Sequence, residues 1–112
     1  MSDTIASRAL TLVDQRRFQE LADYCGETIK RLTDSGSAVD PRLYACQAIA
    51  AAHFGFFDRA KELLQMVWRH KRTILKWGLR GIRFIMLTAT LIAFPDRIDS
   101  AIQRMSDLMR EA

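Results

Sequence analysis

Residues 44–67 read Tyr44-Ala45-Cys46-Gln47-Ala48-Ile49-Ala50-Ala51-Ala52-His53-Phe54-Gly55-Phe56-Phe57-Asp58-Arg59-Ala60-Lys61-Glu62-Leu63-Leu64-Gln65-Met66-Val67. The stretch divides at Gly55, where a tight turn leads into an aromatic residue and a helix with a small residue three places on. A fainter copy of the same junction stands earlier, in Asp14-Gln15-Arg16-Arg17-Phe18-Gln19-Glu20-Leu21. Self-similarity at this spacing is the mark of stacked helical hairpins, whose usual product is a binding surface rather than a catalytic pocket.

The rest of the chain extends the pattern. A first helix begins at Ser2 or Asp3, either of which can cap it, and places Ile5, Ala9, Leu12 and Val13 on one face. The second starts near Phe18 and repeats Leu21, Ala22, Cys25, Ile29 and Leu32, a spacing that aligns only on a helix. It stops at Asp34-Ser35-Gly36-Ser37. Asp40-Pro41 opens the third, with Asp as cap and Pro at the first helical position. That helix is apolar nearly all round (Ala45, Ala48, Ala50, Ala51, Ala52), so it should be packed on several sides. A fourth carries Phe57, Ala60, Leu64, Val67 and Trp68. A fifth is expected over residues 73–93, stopping before Pro95, and a sixth repeats Ala101, Ile102, Met105, Leu108 and Met109. The expected fold is therefore all-α, six helices in three hairpins over 2–34, 40–70 and 73–111, forming one domain across 1–112. Phe18, Phe57 and Ile98 start the second helix of each hairpin, 39 and then 41 residues apart.

These junctions resemble the tetratricopeptide repeat family. Tyr44, Ala48, Gly55, Phe57, Ala60 and Leu64 fall at the spacing of that motif, although Ala51 stands where a large residue is usual. In the first hairpin Ile5, Ala9, Leu12 and Phe18 fit, while Leu21 replaces an alanine and Cys25 a large residue. In the third, Ile98, Ala101, Met105 and Leu108 fit, and the helix before them departs. The family repeat is about 34 residues, so both gaps imply insertions. The resemblance implies either a right-handed superhelix with a concave groove or a compact bundle. The groove would be lined by the first helices and would grip a peptide or helix of a partner protein, as adaptors and chaperones do. On that reading partner contacts fall to Tyr44, Gln47, Ala51, Arg80, Arg83 and Phe84.

Charge is unevenly placed. Between Glu62 and Asp96 lie six of the 17 basic residues and none of the 13 acidic ones, so this segment carries +6 and the remainder −2 of the net +4. Arg69, Lys71, Arg72, Lys76, Arg80 and Arg83 are the six. On one continuous helix Arg69, Arg72, Lys76, Arg80 and Arg83 would make a single stripe, with Trp68 and Trp77 beside it. Such a stripe suits nucleic acid, with tryptophans stacking on bases. It also suits an anionic membrane surface with Ile74, Leu75 and Trp77 dipping in, or an acidic protein. Its plain structural meaning is a solvated helix face, or cations set against the end of the fourth helix at Lys71 and Arg72. Gly78 and Gly81 call for a close helix crossing, or else a hinge. Residues 84–94 are more apolar than one buried face needs, and expose a patch that a second subunit or partner would cover, giving a homodimer through this run and the sixth helix.

Composition and motifs exclude several classes. At 112 residues, 49% hydrophobic and 27% charged, the chain is an ordinary globular domain. Residues 84–94 are the longest nearly apolar run, too short against the ~20 residues of a membrane span. The N-terminus lacks a secretory pattern, and Cys25 and Cys46 suit buried thiols of a cytoplasmic protein. Cys46 and His53 share a helix face, but no ligand spacing for zinc accompanies them or His70, so no metal or cofactor is expected. Glu20, Asp23 and Glu27 line one face of the second helix as solvated acids. No nucleotide loop, nucleophile elbow or metalloprotease motif occurs, and an enzyme is not expected.

Overall fold

The computed structural model describes residues 2–110, with side chains from Thr4 onward, so side-chain capping by Ser2 or Asp3 lies outside what is described. Its helices are α1 (Ser2–Asp14), α2 (Phe18–Asp34), α3 (Pro41–His53), α4 (Phe57–Arg69), α5 (Lys71–Leu75), α6 (Leu79–Ala93) and α7 (Ile98–Arg110), with a 3-10 turn at Pro95–Arg97. The fold is all-α, and the second helices of the hairpins do begin at Phe18, Phe57 and Ile98.

The repeated junction has one backbone solution. After α1, Arg17 N–H donates to the Leu12 carbonyl and Arg16 N–H to Val13; after α3, Phe56 N–H donates to Ala51 and Gly55 N–H to Ala52. This double closure requires a left-handed residue just beyond the helix. Gly55 adopts it at φ 82° at little cost, and Arg16, 39 positions earlier, is forced into it at φ 58°. The α2 end repeats the arrangement with Gly36 at φ 72°. At the start of α3 Asp40 accepts the Arg42 N–H at 2.9 Å, with Pro41 in the first turn, as the sequence indicates.

One correction concerns the fifth helix, which is not continuous. It divides into α5 and α6 at Lys76-Trp77-Gly78, where Gly78 takes φ 75° and ψ −141°, a region open essentially to glycine. Behind the break Gly81 lies directly against α5: a β-carbon there would overlap the Ile74 carbonyl oxygen. The close crossing thus belongs to Gly81 and the sharp turn to Gly78.

A single core joins all seven helices, with Leu21, Leu43, Ile49, Leu64, Ile74, Phe84, Ile98, Met105 and Met109 fully buried. Helix α3 is its centre, packed by α1, α2, α4 and α7. Helix α7 packs against α1, α3 and α6. The resulting body is compact, with a radius of gyration of 12.5 Å.

Two substitutions test this account of the turns. Gly81→Ala should cost about 2–3 kcal/mol through forced separation of α5 and α6. Arg16→Gly should gain up to ~1 kcal/mol by relieving the left-handed arginine, part of the relief being offset by a more flexible unfolded chain. Urea midpoints measure both, and an unchanged midpoint for Gly81→Ala would contradict the close crossing.

Candidate functional site

The residues expected to line a groove are mostly covered, and on α3 their neighbours are α2 and the end of α4. Tyr44 is buried, its ring centroid 5.7 Å from that of His70. Gln47 is half-buried beside Gly26 on α2, and Ala51 is half-buried in the same packing. Phe84 is wholly buried, its ring centroid 5.6 Å from that of Trp77. Arg80 donates to the Asp107 carbonyl at 3.2 Å, near the end of α7. Tyr44 and Phe84 are therefore core residues, and of the six expected contacts only Arg83 is exposed.

The basic stripe is also divided. Arg69 ends α4, Arg72 lies in α5, Lys76 in the turn, and Arg80 and Arg83 in α6. Trp77 is half-buried, between Phe84 and the Arg42 guanidinium, which lies 6.0 Å from its ring centroid. Lys71 sits 4.9 Å over the Trp68 ring. Neither ring is a free stacking platform. Of the residues suited to dipping into a membrane, Ile74 is fully buried and only Leu75 is exposed. No helix among the described residues is long and apolar enough to cross a membrane.

What α6 presents instead is a second apolar row on its outer face. At about 100° per residue, Phe84, Leu87 and Leu91 point inward, while Leu79, Ile82, Met86, Ala89 and Ala93 fall on the opposite side. Leu79 is 63%, Ile82 45% and Met86 66% exposed. Along one edge of this row runs an open groove of about 630 Å³ between α6 and α7. Arg83, Met86 and Thr90 form one wall, and Arg104, Asp107 and Leu108 the other.

The charges in the groove are not equivalent. Asp107 is engaged by its own helix, accepting from Gln103 Nε2 at 2.9 Å and lying 3.7 Å from Arg110. Arg83 and Arg104, one on each wall, form no ion pair among the described residues. Sequence reasoning missed Leu79, Ile82 and Arg104, and reached Met86 only as part of the apolar run 84–94. The signal was available as two apolar rows of equal spacing on α6, but without the neighbouring helices nothing assigns the inner row.

The soft ligands separate rather than converge. His53 stacks on Phe18 at 4.0 Å and lies 3.6 Å from Asp99, while His70 Nδ1 is 2.8 Å from the Met66 carbonyl. No group of three or more potential metal ligands occurs among the described residues. Cys25 and Cys46 are free and buried. Burial pushes the Cys25 thiol up to about 12, and burial, reinforced by Cys25 and Asp40, raises Cys46 well above its ordinary value. Comparison with known proteins gives no significant match to a family model, a curated protein or a solved structure.

The thiols make a prediction about pH. Each keeps its proton when folded and loses it more readily when unfolded, so stability is intact below the ordinary thiol value of 9.0. Above it, stability should fall by about 1.4 kcal/mol per pH unit for each thiol until the folded group itself ionises. Urea titrations from pH 7 to 11 should show this fall. The Cys25→Ala/Cys46→Ala double variant, less stable throughout, should show a shallower slope, and an identical slope would contradict the assignment.

Proposed function

We propose that the protein is a protein-binding module, an adaptor or chaperone in kind, that seats a helix of its partner along the outer face of α6 and the α6–α7 groove. The observation that carries this reading is the exposed row Leu79, Ile82 and Met86 on a helix whose other side is already committed to the core. A helix apolar on both sides expects cover on both, and contiguous exposed apolar surface of this kind marks an interaction site. The row has the i, i+3, i+7 spacing by which helices dock into one another. It takes the place of Tyr44 and Phe84 as contact residues, since both are buried.

A nucleic-acid role has less support, since the cations divide among α4, α5, the turn and α6, and Trp77 is engaged within the fold. Binding, rather than catalysis, also suits a surface with apolar shape and no convergent acid-base pair.

The test is site-specific photo-crosslinking in cells. A photoreactive residue at Met86 or Ile82 should give a discrete protein adduct, while the same residue at Glu27 on α2 should not. Met86→Asp should abolish the adduct formed from Ile82 without moving the thermal midpoint by more than about 2 °C, because the side chain is exposed. Adducts from Glu27 alone, or none from α6, would contradict the reading.

A further inference from the structure

We infer that the occupant of the α6–α7 groove is an amphipathic helix with acidic residues flanking its apolar stripe. This rests on the binding site proposed above and specifies its partner by chemistry. Three observations carry it. The groove has an apolar floor and edge, in Leu87, Met86 and Leu108, continuous with the outer row of α6. Each wall contributes one exposed guanidinium, Arg83 or Arg104, that no carboxylate of the described chain neutralises. Asp107 is the one acid among the groove residues and is engaged by its own helix, while positions 63–95 carry no acid and include exposed Arg72 and Lys76.

Charge discriminates among possible occupants. A second copy docking by the same face would set Arg83, Arg104 and the surrounding cations against their equivalents, and like charges placed together disfavour that pairing. The other charged face of this chain, Glu20, Asp23 and Glu27 on α2, lacks an exposed apolar row to enter the groove. A bilayer offers anionic charge but a flat surface, whereas here apolar surface lies in a channel between two helices. A partner helix fits both features: its stripe enters the channel and its flanking carboxylates meet one arginine on either side, as bidentate geometry favours. Helix α6 has 15 residues, so the matching partner segment is about four turns long.

The experiment uses two labelled 15-residue helical peptides with the same leucine stripe, one flanked by Glu and one by Lys, titrated against the full chain by fluorescence anisotropy. The Glu peptide should bind at least ~10-fold more tightly at low salt, the gap closing toward ~1 M salt. Arg83→Glu/Arg104→Glu should reverse the order, with its folding checked by circular dichroism; the peptide comparison and salt dependence decide if that variant does not fold. Equal binding of both peptides would overturn the acidic-partner inference and leave the groove reading standing. Binding of neither, with crosslinks from Met86 persisting, would do the same. Binding instead to vesicles rich in anionic lipid, to single-stranded DNA, or to a second copy detected by sedimentation, with no peptide binding, would overturn the inference.

Discussion

The arrangement of this protein depends on one buried guanidinium. Arg42, 8% exposed, grips the Asp40 carboxylate through Nε and Nη2, the latter at 2.7 Å from Oδ2. Its Nη1 donates to the Met109 carbonyl at 3.4 Å, and its plane lies against Trp77. One side chain thus connects the capped start of α3, the turn between α5 and α6, and the last turn of α7. Burying a charge costs several kcal/mol unless its donors are satisfied, and removing one partner of such a pair typically costs about 3–5 kcal/mol. That makes the junction a specifying contact. The Arg110–Asp14 pair, with a nearest approach of 2.6 Å, adds a more exposed tie between α7 and α1.

From this junction the location of the exposed surface follows. With its end held by Arg42 and by Arg80, α7 settles over α1 and α3 and brings Ile98, Met105 and Met109 into the core. Cations at a helix C-terminus are favourable against its unpaired carbonyls, and both arginines use that preference. Helix α6 then packs on α4, α5 and α7, leaving the row Leu79, Ile82 and Met86 exposed. Its outer face meets no other helix among the described residues, although its sequence is as apolar there as within. The proposed binding site is thus a consequence of where α7 goes.

Much of the fold was legible in the sequence. Phe18, Phe57 and Ile98 marked three helix starts, and Asp40-Pro41 marked a fourth, because caps, turns and apolar periodicity are local properties. The break at Gly78 was not legible as a break, since a glycine within a helical pattern also suits a tight crossing. The site was less legible still. Tyr44 and Phe84 have the composition of contact residues, and only packing beside His70 for the one and Trp77 for the other places them inside. Arg83 was found because charge on a helix is conspicuous, whereas Arg104 lies on α7, apart in sequence from the acid-free segment. Which of two equal apolar rows faces inward is decided by long-range packing.

Residue-resolved hydrogen exchange of the free protein tests the central claim, that α7 is seated on the first helices and leaves the outer face of α6 as the binding surface. The amides of Met105 and Met109 should exchange as slowly as those of Ile49 and Leu64, in keeping with one cooperative core. Fast exchange along α7 with α2, α3 and α4 still protected would contradict the account. It would detach the wall that Arg104, Asp107 and Leu108 give the α6–α7 groove and leave the proposed site incomplete.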